Sequence, residues 1–393
     1  MMNSNLSRVF LKAMLLTVGL FGAHEFLTGQ VVDREDLVRS VSREVASTME
    51  KGRIPSASIA LVAGKEVVWA EGFGYSNLWA RTRAKPETVY LIGSTFKTMS
   101  TYALLQQMEA GKFKLDDSVN NYMKEFKIRG EDHENPVTFR HLLTHTSGLP
   151  GGFVAFPVWG DTVPPPLNVS LKKMMKLRFR TGSRVLYSNP AFTLVAYLVE
   201  QFAGKPYKQV IRERIFEPLE LDDTDFIPKG DMEERLSIPY FYDRRTGTHK
   251  PASRSKADVW PAGVVYGTIL DQARWLIVNL NHGCYDGGRL LSEAVFDQLM
   301  TRQYERFSGP IHGDWLNETT GYGLTWWISE YKGDKLFAHS GSVNGYTAFI
   351  VGNLDKKIGF AVLTNGDKVH SHLFALALSV LELLDRYRPD PMN

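Results

Sequence analysis

Cysteine is almost absent from this sequence, since Cys284 is the only one among 393 residues. A single cysteine excludes a disulfide within the chain, and it excludes a zinc site built from cysteine thiolates. Cys284 lies in a glycine-rich stretch, 281–288, that is typical of a turn, and no partner for nucleophilic catalysis is evident beside it. We therefore expect neither a disulfide scaffold nor a catalytic cysteine.

A strong excess of charge is also missing. The 46 Lys and Arg residues nearly balance the 43 Asp and Glu residues, which leaves a net charge of +3. This balance gives no basic stripe for nucleic acid and no acidic run for metal storage. No glycine-rich dinucleotide or Walker A pattern follows a strand. We expect no nucleic-acid partner and no cofactor.

A metal site is not expected either, although His141 and His145 have the i, i+4 spacing of ligands on one helix face. No glutamate lies between them as in the H-E-x-x-H pattern, and no third ligand is placed by the sequence. We interpret both histidines as structural. The hydrophobic content of 44%, with 12% aromatic residues, predicts a sizeable core.

An apolar run near the beginning of the sequence is typical of a targeting segment. Arg8 and Lys12 precede an apolar run over residues 13–23, which has the length of a secretory h-region and is short for a membrane span. We predict that residues 1–30 form a signal peptide or an N-terminal anchor. The globular part is then expected to be exported, periplasmic or secreted, with possible membrane attachment through this segment only.

Strand signals concentrate near both ends of the remaining chain. Alternating or continuous apolar runs occupy 56–62 and 66–70, and four more follow at 324–328, 335–339, 346–351 and 358–363. Residues 112–310 are mostly helical and loop in pattern. We predict an α+β fold, a three-layer α/β/α sandwich, with an antiparallel sheet built from both chain ends and a mostly helical insertion. The predicted domain covers 31–393, with 31–111 and 311–393 in the sheet part and 112–310 in the helical part.

The motif Ser94-Thr95-Phe96-Lys97 is the first candidate for chemistry. Apolar residues at helical spacing follow it, so Ser94 is predicted in the first turn of a buried helix, with Lys97 on the same face. A serine hydroxyl is a weak nucleophile that a nearby base can activate. A lysine kept neutral by desolvation is one such base.

Two further motifs follow in order. Tyr187-Ser188-Asn189 precedes Pro190, which suits a first helical turn, and His339-Ser340-Gly341 closes a predicted strand. With these three motifs the chain resembles the serine β-lactamase and penicillin-binding-protein superfamily, and most closely its class C β-lactamase-like branch. That branch also holds D-aminopeptidases, D-Ala-D-Ala carboxypeptidases and esterases. The stretches 140–150 and 321–327 strengthen the resemblance, which covers about residues 36–385.

The resemblance implies a role for each motif residue. Ser94 would be the nucleophile that forms an acyl-enzyme, and the backbone N–H groups of Ser94 and Ser342 would stabilise the oxyanion. Lys97 and Tyr187 are the candidate bases: the charge of Lys97 would favour a Tyr187 phenolate, whereas desolvation would favour a neutral Lys97. Asn189 would bind Lys97 or the substrate amide, or would cap the helix that starts at Pro190. The implied substrate-binding residues are Asn189, His339, Ser340 and Gly341.

His339 departs from the family pattern, in which β-lactamases usually carry a lysine that meets the substrate carboxylate. Histidine at this position resembles esterase-, peptidase- and transferase-like members. We therefore expect an exported serine hydrolase that acts on a small-molecule or short peptide substrate: an ester, a D-amino-acid peptide or a β-lactam. The alternatives are an acyltransferase of the same fold and a penicillin-binding receptor or scaffold without turnover.

Overall fold

The computed structural model describes residues 32–151, 166–253, 260–304 and 320–387. The predicted signal peptide or anchor, residues 1–30, lies outside these ranges, as does most of the loop between Leu149 and Leu167. In the described part of the chain, no helix combines the length and the apolar character that crossing a membrane requires.

One eight-stranded antiparallel sheet forms the centre of the molecule, in the order β10-β11-β12-β13-β14-β1-β2-β3. The first long strand pairs with the last, with Ile59 opposite Val362, so both chain ends build one sheet as predicted. The strands are β1 Ser56–Ala63, β2 Glu66–Asn77, β3 Thr82–Arg83, β4 Tyr90–Leu91, β5 Tyr240–Asp243, β6 Thr248–Pro251, β7 Tyr266–Gly267, β8 Cys284–Tyr285, β9 Gly288–Arg289, β10 Gly321–Tyr322, β11 Trp327–Tyr331, β12 Asp334–Val343, β13 Tyr346–Asn353 and β14 Ile358–Thr364.

Helices cover both faces of this sheet. In β1, Ile59 and Leu61 point into a core shared with the first and last helices, whereas Ala60 and Val62 point into the larger core on the other face. This alternation confirms the predicted α+β sandwich. The helices are α1 Arg34–Gly52, α2 Phe96–Glu109, α3 Phe139–Leu143, α4 Leu167–Met174, α5 Asn189–Ala203, α6 Tyr207–Ile211, α7 Ile269–Leu280, α8 Glu293–Leu299 and α9 His370–Arg386.

The strand predicted over 324–328 is displaced in the structure, where β11 begins at Trp327. Thr325 has a left-handed φ of 79°, and its N–H donates to the carbonyl of Leu143 at 2.9 Å. This bond ties the segment to α3 instead of the sheet. A regular strand does not contain a residue with left-handed φ, so the pairing of β11 with β12 starts at Trp327, two residues after Thr325.

The central region also contains short strand pairs that the sequence pattern did not predict. β5 and β6 form a hairpin, and Cys284, predicted in a turn, begins the two-residue strand β8 that pairs with β9. These strands have two to four residues each. Such lengths are too short for a period of two to stand out in a sequence.

Candidate active site

Ser94 lies in a 3₁₀ turn, Gly93–Thr95, that leads directly into α2. The turn runs unusually close to β12. A Cβ on Gly341 would lie 2.2 Å from the carbonyl oxygen of Ile92 and 3.0 Å from the amide nitrogen of Ser94. Only glycine at this strand position allows the turn that carries Ser94 to approach the backbone of β12.

The two predicted oxyanion donors are brought together by this approach. A Cβ on Gly93, which has a φ of +60°, would lie 2.8 Å from the amide nitrogen of Ser342. The neighbour β11 pairs with β12 only as far as Trp327 opposite Ala338. The stretch 339–343 therefore continues beyond the last β11 pair, next to the nucleophile turn.

Lys97 is completely buried, and its Nζ lies 2.8 Å from Ser94 Oγ. The same Nζ donates to the backbone carbonyl of Ala262 at 2.5 Å. No ion pair reaches Lys97 from the residues that the structure describes. Burial lowers the pKa of Lys97 well below its usual value, because a desolvated ammonium without a counter-charge is unfavourable.

Tyr187 lies beside the lysine, with its ring centroid 4.9 Å from Lys97 Nζ. Burial raises the pKa of the phenol, and a hydrogen bond with Ser94 opposes this only in part. Tyr187 as a whole is half-buried, and the net direction favours the protonated phenol. Ser94, Lys97 and Tyr187 thus form one hydrogen-bonding group from two distant parts of the chain.

His339 is buried within β12, and the strand predicted over 335–339 continues to Val343, so the motif His339-Ser340-Gly341 lies inside its last stretch of pairing. Its ring stacks on Trp327 with centroids 5.5 Å apart. Its Nδ1 lies 2.6 Å from the carbonyl oxygen of Ser340. Burial lowers the pKa of His339 to about 3.

Asn189 is the first residue of α5, and the alternative in which it caps this helix was wrong. Ser188 is the N-cap, since its side chain accepts the N–H of Ala191 at 3.2 Å. The cap moved by one residue because the preceding serine has the extended backbone that an N-cap requires. Asn189 is buried at the start of α5, and Ser340 is nearly buried on β12.

Sequence reasoning missed a supporting role for His145 and for the carbonyl of Ala262. His145 Nδ1 accepts the backbone N–H of Ser188 at 3.0 Å, and its ring centroid lies 4.2 Å from that of Tyr187. His145 thereby connects the 140–150 segment with the tyrosine motif. The sequence offered one signal for this role: the stretch 140–150 and the motif Tyr187-Ser188-Asn189 both belong to the pattern of the same family. His141 is used locally, where its Nδ1 accepts the N–H of Thr138 at the start of α3.

A buried lysine next to a serine, at the start of a helix and beside a strand of an antiparallel sheet, defines the active-site serine proteins of the β-lactamase and penicillin-binding-protein fold. The family model described as Beta-lactamase matches residues 41–384, and the chain belongs to this family.

Individual relatives are distant. The chain is 26% identical over 363 residues to the protein named unguisins hydrolase ungD' of Aspergillus campestris, and 24% identical over 337 residues to protein flp of Staphylococcus aureus strain MW2. The matches cover 90% and 84% of this chain but only 66% and 63% of those relatives, so the chain spans less than two thirds of their length. The octameric penicillin-binding protein homologue from Pyrococcus abyssi superposes with a TM-score of 0.74 at 29% identity, over 89% of this chain and 78% of that one.

Proposed function

We propose that this protein is a serine hydrolase that cleaves small esters or amides through an acyl-enzyme on Ser94. The observation that carries this proposal is the 2.8 Å contact between Lys97 Nζ and Ser94 Oγ in a fully buried environment. Burial favours the neutral amine, whose lone pair can accept the hydroxyl proton. This supports Lys97 rather than a Tyr187 phenolate as the base.

The proposed reaction begins when Ser94 Oγ attacks the substrate carbonyl and its proton passes to Lys97. The carbonyl oxygen gains negative charge and is stabilised by the N–H groups of Ser94 and Ser342. The bond to the leaving group then breaks, and Tyr187 donates its phenolic proton to that group. Lys97 returns a proton to Tyr187, and water releases the acyl group by the reverse sequence.

The substrate class follows from the charges around this group. A carboxylate-bearing substrate such as a β-lactam would meet His339 where related enzymes use a lysine. The uncharged imidazole that burial favours offers such a carboxylate no counter-ion. We therefore propose neutral or weakly polar esters and amides as the preferred substrates, with β-lactams hydrolysed poorly. The name of the fungal relative, a hydrolase, supports turnover.

Covalent labelling tests the nucleophile. The full-length protein, incubated with a fluorophosphonate, should gain one adduct mass on the peptide that contains Ser94. Ser94→Ala should lose the label, and Ser183→Ala, which removes an exposed serine outside the site, should keep it. An adduct on Ser94→Ala, or none on folded wild type with a fluorophosphonate and a fluorescent penicillin, would contradict the proposal.

Turnover separates the three candidate activities. A short-chain nitrophenyl ester should be hydrolysed faster than a chromogenic cephalosporin, and added alcohol should not divert most of the acyl group. Acyl transfer to the alcohol as the main outcome would identify a transferase. Stable labelling without product release would identify a receptor.

Export is a separate proposal that rests on residues 1–30. It predicts that deleting these residues leaves the protein in the cytoplasm of the expressing cell.

A further inference from the structure

Two aromatic side chains are exposed on neighbouring hairpins of the structure. Trp79, in the turn between β2 and β3, is 87% exposed, and Phe241 on β5 is 41% exposed. The hydroxyl of Tyr240 accepts the N–H of Leu78 at 2.9 Å. This bond joins the two hairpins, so both exposed rings belong to one region of the surface.

The turn that carries Trp79 has a fixed conformation. The side-chain oxygen of Asn77 accepts the N–H groups of Trp79 and Ala80, each at 3.0 Å. The hydroxyl of Ser76 donates to the carbonyl of Thr82 at 3.3 Å across the same turn. These bonds hold the backbone without any contribution from the indole ring. The fold therefore presents Trp79 to the outside without using it in the core.

A single exposed tryptophan is ordinary, but this one is accompanied by cations. Tyr75 on β2 is paired with Arg83 on β3, and the Arg83 guanidinium carbon lies 4.5 Å from the Tyr75 ring centroid. The guanidinium carbon of Arg81 lies 5.9 Å from the same centroid. A hydrogen bond with Arg81, together with the charge of Arg83, lowers the pKa of the Tyr75 phenol. Positive charge is thus concentrated beside the turn of Trp79.

The second hairpin adds further arginines to the same region. His249 Nε2 donates to the carbonyl of Arg53 at 2.7 Å, which ties β6 to the end of α1. The Arg53 guanidinium carbon lies 6.0 Å from the ring centroid of Tyr242 on β5. Arg244 and Arg245 are exposed in the turn between β5 and β6.

These cations are not neutralised by the protein. Five exposed arginines take part in no ion pair within the described part of the chain: Arg53, Arg81, Arg83, Arg244 and Arg245. The carboxylate of Asp243, on the second hairpin, is held by Lys250 at 2.5 Å. The net charge of the whole protein is only +3, so this excess is local. We call these five arginines, with Trp79 and Phe241, the aromatic–arginine surface.

We propose that the aromatic–arginine surface binds the anionic phospholipids of a membrane. Guanidinium groups donate paired hydrogen bonds to phosphate, and exposed aromatic rings enter the headgroup layer of a bilayer. A soluble polyanion would use the arginines but would leave Trp79 in water. The combination of both residue types therefore favours lipid. This contact is additional to residues 1–30 and does not depend on the proposed hydrolysis.

Co-sedimentation of the full-length protein with vesicles tests this proposal. Wild type should bind vesicles that contain phosphatidylglycerol more tightly than vesicles of phosphatidylcholine alone, and salt should weaken this difference. The double substitution Arg81→Glu with Arg83→Glu should lower the partition coefficient for the anionic vesicles by at least about 25-fold, since each basic residue near such a surface contributes about fivefold. Trp79→Ala should lower it several-fold.

Matched controls change the same residue types elsewhere. Arg214→Glu reverses an exposed arginine, and Ile227→Ala truncates an apolar side chain that is 64% exposed. Both should bind like wild type, and all variants should keep the wild-type unfolding midpoint in urea because the altered residues are exposed. Residues 1–30 are present in every variant, so their contribution is the same throughout.

Two outcomes of the sedimentation would overturn the proposal. Equal binding by all variants would leave residues 1–30 as the membrane contact. Weaker binding by the arginine variant, with Trp79→Ala equal to wild type, would assign the arginines to a soluble polyanion.

A second measurement locates Trp79 directly. Phosphatidylglycerol brominated near the glycerol end of its acyl chains should quench part of the tryptophan fluorescence of vesicle-bound wild type. Trp79→Phe should still bind, because it keeps an aromatic ring, but should lose that part of the quenching. Residues 1–30 contain no tryptophan, so they do not contribute to the signal. Equal quenching in wild type and Trp79→Phe would overturn the proposal.

Discussion

At the scale of single residues, the site is built from groups that are kept uncharged. Burial lowers the pKa of Lys97, His145 and His339, and it raises that of Tyr187. No carboxylate contributes to the shift of Lys97. The protein therefore maintains a reactive amine through desolvation alone, which costs folding free energy.

This cost predicts that Lys97→Met is more stable than wild type near neutral pH while losing labelling and esterase activity. The pKa of Lys97 is lower in the folded state than its unfolded value of about 10.4. Between those two values, folding must release a proton, and this penalty shrinks as pH rises and ends above the unfolded value. Urea unfolding should show a gain on the order of 1 kcal/mol at pH 7 that declines toward pH 10.

The control for this experiment is Lys112→Met, an exposed lysine whose removal should change stability little at either pH. A stability gap between Lys97→Met and wild type that stays constant or widens as pH rises would contradict a lowered pKa of Lys97 in the folded state. Wild-type esterase activity should rise with pH through the folded pKa of Lys97, because only the neutral amine accepts the proton.

The sequence could predict the Ser94–Lys97 contact because two residues three positions apart in a continuous helical stretch meet by local geometry. It could not predict the carbonyl of Ala262, which is 165 residues from Lys97 and is a backbone group present in every residue. The cap of α5 was misassigned to Asn189 because serine and asparagine are both favoured there. Only the backbone angles of Ser188 decide between them.

At the scale of elements, the proposed catalysis depends on how closely β12 approaches the turn before α2. Gly341→Ala would place a methyl group 2.2 Å from the Ile92 carbonyl oxygen, which forces the strand and the turn apart. We expect acylation to slow by about 100-fold, since displacements near 1 Å have effects of this size. Stopped-flow measurement of the acylation rate with a fluorophosphonate tests this expectation.

Gly366→Ala is the matched control, because its Cβ would meet no atom closer than 3.6 Å and its backbone is not left-handed. It should acylate at nearly the wild-type rate. Equal rates for Gly341→Ala and wild type would mean that the close approach of β12 is not required for the oxyanion donors.

The long elements were predictable and the short ones were not. Strands β12, β13 and β14 have seven to ten residues with apolar runs, which is enough to show a pattern. Thr325 defeated the prediction for β11, since a β-branched residue favours a strand but here adopts φ 79°. Two tertiary contacts impose that conformation. The N–H of Thr325 donates to the carbonyl of Leu143, and its hydroxyl lies 2.5 Å from that of Thr101.

At the scale of the whole molecule, both ends of the described chain meet in one sheet, and the side chain of Asn365 joins them. Its Oδ1 accepts the N–H of Ser56 at the start of β1 at 2.8 Å. Its Nδ2 donates to Ile238 O at 3.0 Å and to Ser76 O at 3.3 Å. One buried amide thus connects β1, the end of β2, the chain after β14 and the segment that leads into β5.

Asn365→Ala should therefore destabilise the entire fold by about 3 kcal/mol, because it removes the acceptor of the buried Ser56 N–H and the donor to the carbonyls of Ser76 and Ile238. Urea unfolding measures this loss, and Asn121→Ala, an exposed asparagine, should change stability by less than about 0.5 kcal/mol. Acylation of the folded fraction should stay near wild type, since Asn365 contacts neither Ser94 nor Lys97 through any hydrogen bond in the described chain. A normal unfolding midpoint with slowed acylation would instead place Asn365 in the positioning of the site and remove it from the connection between chain ends.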